Sequence, residues 1–350
     1  MIRLYSGAPT PNIANTLARK GTRMNSLPRT LAGLTCALGL AWSAAAAAAP
    51  VQVNIGIVTA PAFVHTLSAE KFKEVLDKAL PGKYDVVIHN SGALGSETQV
   101  LQQLQLGTVQ MCVCTTGPVE AFVPEIKAIE MPFLFSSYEQ TDKVLDGPIG
   151  QDLLKRFGKA GLVGMHFEDN GFRNLTNSKH AIREPADVKG MKIRTMESPT
   201  HLAIWRDIGA NPTPMAWPIT TQLQQGVLDG QENPISVISA AKLNEVGQKY
   251  LTLTRHVYSA LVFVGSKPFF DKLPPADQQA FMTAAAQASA FGRNHVRSNE
   301  AAQLAALEKA GVQVVTNPDL AAFRAKTEPV YASLTGDTKK IVEEIRKSEK

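Results

Sequence analysis

Two arginines and an amide carry most of the chemistry this sequence offers: Arg173 in GFRNLTN, Arg194 in GMKIRT and Asn233 in LDGQENP. A guanidinium presents a planar fork of donors that matches a carboxylate in bidentate geometry. The Asn233 amide can donate and accept within the same small space. No nucleophile, acid–base pair or metal cluster accompanies them, so the expected task is to hold a carboxylate and leave its chemistry alone. Catalytic residues, metal ligands and cofactors are accordingly expected to be absent. The histidines (His65, His89, His166, His180, His201, His256 and His295) fall in neither an HExxH helix nor a nucleophile elbow. GALGSET lacks the GK[ST] ending of a phosphate loop, and SGALG lacks the spacing of a dinucleotide fingerprint. The alternative, a secreted α/β enzyme acting on a carboxylate substrate, rests on fold and export alone.

Each of these residues also has an ordinary structural use. A lone arginine after a strand usually serves an ion pair, and Glu184, Asp187, Glu197 and Asp229 are available to neutralise Arg173 and Arg194. Trp217 in PTPMAW suits a core as well as a ligand platform. GQENP reads as a turn entering a helix, with Pro234 at the first helical position and Glu232 as a favourable charge near the helix start.

The elements that must position these residues alternate in type. VQVNIGIV has the period of a strand, Thr66 to Leu80 that of a helix, and YDVVIH that of a second strand. Ser96 caps a Gln- and Leu-rich helix that stops at Gly107, and VQMCVC delivers Thr115 and Thr116 to the end of a third strand. This β-α-β-α-β order indicates a parallel α/β sheet, whose ligands bind beyond the carboxyl ends of the strands. A second series follows: GLVGMHF, MKIRT, a helix near Ser198 to Ile208, and LTLTRH running toward YSALVFVG. Strands crossing between two such lobes would enclose a cleft. Pro275 to about Ala310 reads as one long helix ending at Gly311.

The first fifty residues read as an address. Arg3, Arg19, Lys20, Arg23 and Arg29 precede an apolar run and an alanine tract, the pattern of a secretory leader cleaved near Ala47 to Ala49. Without those five basic residues the 36 Lys and Arg fall to 31, equal to the 31 Asp and Glu. The mature chain is then near neutral, so any pull on an anion must come from local placement, and nucleic-acid binding loses its main support. About 300 remaining residues favour two lobes over one core. Cys112 and Cys114 share one face of a strand, where a disulfide would be at the edge of allowed geometry; buried, unpaired thiols are expected.

GALGSETQVLQQLQLG, TGPVEAFVPEIKAIEMPFLFSSYEQTDKVLDGPIG, GFRNLTNSKHAIREPADVKGMKIRTMESP, GANPTPMAW and LDGQENP together resemble one family. It is the solute-binding proteins of tripartite ATP-independent periplasmic (TRAP) transporters, of the dicarboxylate-binding DctP type. The resemblance spans nearly the whole mature chain. It implies a two-lobed periplasmic binding protein fold with a ligand cleft between the lobes and a long C-terminal helix spanning them. The division is a leader over 1–49, lobe I over 50–170 plus about 258–298, and lobe II over 171–257 plus about 299–350. The implied protein is a periplasmic monomer that binds a mono- or dicarboxylate and hands it to TRAP membrane subunits. The resemblance makes Arg194 the partner of the ligand carboxylate, Arg173 a second basic contact and Asn233 a polar contact. Trp217 becomes an aromatic against the ligand and Thr115 a contact from the first lobe; Glu232 and Phe63 complete the set. The segment PITTQLQQGVLDG departs from the family, being one residue shorter, with Pro218, Ile219 and Thr220 where acidic and tyrosine residues are common. With Val58, Phe63 and His65 at the end of the first strand, it points to a less polar acid than a sugar acid, such as a short 2-oxo or hydroxy acid or an aromatic or aliphatic carboxylate.

Overall fold

VQVNIG forms β1 (Val51–Gly56), whose Val53 and Ile55 point into a core while the start of the strand is exposed. β1 pairs in parallel with both β2 (Tyr84–His89) and β3 (Met111–Thr115). The computed structural model describes residues 49–348, so the expected leader lies outside the described residues but for its last position. The helix after β1 runs from Val64 to Ala79, and the next from Glu97 to Leu106. Ser96 and Gln99 form a reciprocal capping box on the latter, and Gly107 ends it in the left-handed conformation (φ 77°). Cys112 and Cys114 lie buried and unpaired on β3, their sulfurs 3.2 Å apart.

Two long antiparallel strands tie this group to the rest: β4 (Leu162–Asn177) and β8 (Tyr250–Ser266). The last residues of β8 pair with β3, whereas the second half of β4 pairs with β7 (Gly230–Pro234). β5 (Lys192–Thr195) pairs in parallel with β7 and with β6 (Asn211–Pro214), and β9 (Gln313–Val315) pairs with β8. The sheet order is β2-β1-β3-β8-β4-β7-β5-β6, with β9 to the side. Each half therefore keeps parallel strands, and the two halves share strands that cross between them. The β4–β8 register shifts between Gly164 and His166, Asp169 and Gly171, and Arg173 and Leu175. Such bulges bend and twist a ladder.

LDGQENP is a strand, not the turn expected. β7 is paired on both sides by the second half of β4 and by β5, and these backbone bonds outweigh the local turn signal of Gly and Pro. Pro234 ends the strand, where its missing N–H costs no ladder bond, and it caps the helix Ile235–Ala240 instead of opening it.

The long helix runs from Pro275 to Lys309, followed by Gly311 at φ 91°. It buries Phe281, Ala284, Ala285, Ala288, Gly292 and Val296, one stripe of helical period. That stripe packs on the Val64–Ala79 helix and on β4, and the helix also touches Ile235–Ala240. The final helix, Gly336–Lys347, packs on Pro124–Glu130, a segment that the sequence division gives to the first lobe. There Asp337 pairs with Arg156 at 3.1 Å, and Lys143 Nζ donates to the Ser348 carbonyl at 2.8 Å.

Gly292 lets a buried carboxyl reach the long helix. A Cβ there would lie 1.7 Å from Glu168 Oε1 and 2.6 Å from Ser68 Oγ. Glu168 is fully buried, accepts from Ser68 at 2.6 Å, and burial pushes its carboxyl well above the usual carboxylate range. Gly292→Ala should therefore lower stability by about 1–3 kcal/mol in urea titration, the cost of overpacking. Gly158→Ala, where a Cβ meets nothing, should leave the midpoint unchanged.

Candidate functional site

Both arginines sit on strands of the second half, yet their surroundings differ. Arg194, on β5, is 3% exposed. Its Nε and Nη2 donate to the Met215 carbonyl at 2.8 and 2.5 Å, and its guanidinium carbon lies 5.9 Å from the centre of the Trp217 ring. Among the described residues no carboxylate comes within ion-pair distance of it. Burial and the nearby Arg173 lower its pKa to about 10, which still leaves it charged at neutral pH. A buried cation without a counter-ion is costly unless a ligand supplies one.

Arg173 has that counter-ion inside the protein. It is fully buried, and Nε and Nη2 both bond the Glu232 carboxylate, Nη2 at 2.8 Å; Nη2 also donates to the Glu232 carbonyl. The β4–β7 register brings the two residues together: Asn174 pairs with Asn233, so Arg173 and Glu232 are near neighbours across the ladder. Of the four carboxylates expected to neutralise the arginines, none does so. Asp229 pairs with Lys179 and accepts from the Lys192 N–H, Asp187 and Glu184 cap Pro185–Val188, and Glu197 accepts from Thr98.

Glu232 belongs to a longer buried chain. His256 Nε2 lies 3.1 Å from one Glu232 oxygen and His201 Nδ1 3.4 Å from the other. His201 Nε2 reaches Glu130 at 2.8 Å, and Thr116 donates to the far Glu130 oxygen. Burial disfavours a charged His201, but Glu232 and Glu130 outweigh it and raise its pKa to about 9. His256 is held neutral chiefly by burial. The chain Arg173–Glu232–His201–Glu130 thus alternates in sign and balances.

Arg194 instead faces a small cavity. Asn233, Trp217 and Thr115 line it as well, so four of the seven residues singled out from sequence converge there. Asn233 faces the cavity while its neighbour Glu232 faces Arg173, as alternation along β7 requires. Arg173, Glu232 and Phe63 are not among the lining residues. Phe63 packs edge-to-face on Trp217, ring centres 5.9 Å apart, and so backs the aromatic wall.

Val58, Thr59, His65, Glu97, Asn170, Met196 and Val237 complete the lining. Glu97 is the largest omission from the sequence reading. Both its oxygens bond Thr115, from the backbone N–H at 2.7 Å and from the hydroxyl at 2.6 Å. Burial raises its pKa, with the Thr115 bonds and Arg194 pulling the other way. In sequence it reads as an ordinary acidic residue at a helix start, directly after the Ser96 cap. Thr59 Oγ1, His65 Nδ1 and Asn170 Oδ1 are buried without a partner. Burial lowers His65 to about 3, so its ring is neutral at ordinary pH. The cavity thus combines a buried cation with several buried hydrogen-bonding groups.

Residues 55–337 match the family model described as bacterial extracellular solute-binding protein, family 7, DctP. The chain belongs to this family. A DctP-family relative from Verminephrobacter eiseniae, named a solute-binding protein, is 43% identical over 307 residues, which cover 87% of this chain and 91% of the relative. A TRAP periplasmic solute-binding protein from a Polaromonas species, solved with D-erythronate, superposes with a TM-score of 0.82 at 40% identity, covering 85% of this chain and 98% of that one. A second, from Bordetella, with density assigned as pantoate, gives a TM-score of 0.81 at 38% identity, covering 85% and 99%. The α/β fold with its nine-stranded sheet and long helix is that of these two-lobed DctP-family receptors.

The two arginines should separate in stability measurements. Arg173→Met strands a buried Glu232 and should cost about 3–5 kcal/mol, whereas Arg194→Met removes an unpaired buried cation and should leave the ligand-free protein as stable or more so. Urea titration of both variants checks this. His201 adds a pH dependence. Its folded pKa of about 9 lies above the ordinary 6.5, so its contribution is full below pH 6.5 and is lost as pH rises through 9. The urea midpoint should fall across that window, and His201→Gln should flatten the fall.

Proposed function

We propose that this chain is the extracytoplasmic receptor of a TRAP secondary transporter and that its ligand is a small hydroxylated monocarboxylate. The carrying observation is Arg194: buried, charged, without an internal carboxylate, and facing the cavity. A ligand carboxylate there completes the ion pair in a dry setting, where charge-assisted bonds are strong. Asn233 adds a polar contact and Trp217 packs against the ligand, with Phe63 behind it. Arg173 and Glu232 act one layer back, holding β4 and β7 together so that Asn233 keeps its place. Thr115 positions Glu97 and takes part through it.

Glu97, Asn170, Thr59 and His65 favour a ligand that donates hydrogen bonds, and hydroxyl groups fit that demand. A second carboxylate at that end would meet Glu97, so a monocarboxylate fits better than a dicarboxylate. Val58, Met196, Val237 and Trp217 supply apolar walls beside these polar groups. D-erythronate and pantoate, the acids in the two neighbouring structures, are both short hydroxylated carboxylates, which supports this reading. Two lobes sharing β4 and β8, in a periplasmic monomer freed of its leader, would close over the acid and present it to the membrane subunits.

Calorimetric titration of the purified protein with short hydroxy acids should find one that binds, and mass spectrometry of the acid released on denaturation should identify it. Arg194→Ala should lower its affinity at least about tenfold, the loss expected for charge-assisted bonds, while circular dichroism is unchanged. Unchanged affinity would remove Arg194 from the carboxylate role. A panel in which only dicarboxylates bind would overturn the monocarboxylate assignment.

A further inference from the structure

On the surface, away from the cavity, a notch opens between the turn Pro132–Leu134 and the C-terminal helices, lined by Phe133, Arg324, Glu328, Tyr331 and Arg346. The Arg324 guanidinium lies 5.5 Å from the centre of the Phe133 ring, and that of Arg346 lies 4.1 Å from the centre of the Tyr331 ring. Neither arginine makes an ion pair among the described residues, although Glu328 shares the same notch. Stacking on an aromatic face restricts each guanidinium while leaving its edge, and its donors, turned to what approaches.

The floor of the notch is held in an unusual conformation. Phe133 has φ 54°, a left-handed conformation that residues with a side chain seldom adopt. It is fixed there by its own N–H, which donates to the His256 carbonyl at 2.7 Å, while Tyr331 donates to the Pro132 carbonyl at 2.7 Å. Backbone strain of this kind persists where the surroundings over-determine it, often at sites of recognition. Here it presents an aromatic ring to an arginine on a neighbouring helix. Arginine and aromatic residues in one patch are also the composition of energetic centres in protein interfaces.

We propose that this notch is a docking site for carboxylate side chains of an acidic protein segment, with Arg324 and Arg346 each gripping a carboxylate. Arg324 and Arg346 are both exposed, within reach of carboxylate side chains projecting from a partner surface. It does not depend on the identity of the cavity ligand. The Phe133 N–H bonds the His256 carbonyl, and His256 Nε2 lies 3.1 Å from Glu232, the neighbour of Asn233 in sequence.

A fluorescein-labelled poly-glutamate peptide, followed by anisotropy, provides the test on the full mature protein. Binding should weaken with salt and fall at least about tenfold in the double variant R324E/R346E. The control K339E/K340E makes the same change of charge on the helix that carries Arg346 and should shift affinity less than about twofold. Equal losses in both double variants would mean diffuse attraction and overturn the proposal. So would competition by free glutarate or inorganic phosphate at the concentrations at which the peptide binds, which would make the notch a small-anion site. Calorimetry with the cavity ligand keeps the two sites apart: R324E/R346E should bind it as the unaltered protein does, and a loss there would assign these arginines to the fold.

Discussion

A guanidinium that has given up its water and found no carboxylate among the described residues is the constraint to which the rest of this structure answers. Arg194 keeps its charge in spite of burial, steadied by the Met215 carbonyl and the Trp217 ring. It can do so only because the other buried positive charges nearby are cancelled. Arg173 is matched to Glu232 and His201 is shared between Glu232 and Glu130, so the network beneath the cavity holds no surplus. A surplus there would either repel the ligand's counterpart or satisfy Arg194 internally. Arg194 is left without a carboxylate at ion-pair distance among the described residues, while it faces the cavity.

The same cavity is lined by Glu97, whose two oxygens accept from the Thr115 N–H and hydroxyl. Neutral His65, Thr59 and Asn170 add groups that lose hydrogen bonds to water on burial and must regain them.

Much of this was legible in the sequence wherever the signal was local. Strand alternation, the Ser96 cap, the stop at Gly107 and the long helix after the proline pair each depend on neighbouring residues, and the structure has them within a residue or two. Arg194, Asn233, Trp217 and Thr115 do line one cavity. What escaped depended on pairing between distant segments. Only the β4–β7 register decides that Arg173 meets Glu232, 59 residues away, and that LDGQENP is a strand. Glu97 escaped for a similar reason: its partner Thr115 comes from another strand, and nothing nearby in sequence distinguishes it from an ordinary acidic residue at a helix start.

The two shared strands have a mechanical meaning. Lobes joined by loops can swing as separate bodies, and a single cut in a loop can part them. Here β4 and β8 are continuous members of both halves, hydrogen-bonded to each other almost throughout. Any opening of the cleft must bend these strands like a leaf spring, and the compliant points are the bulges at Asp169–Gly171 and Arg173–Leu175, where the ladder is already interrupted. One of those points carries Arg173 itself. The receptor's stiffness and its buried ion pair therefore occupy the same few residues, and an opened molecule stores its return force in the backbone that positions Asn233.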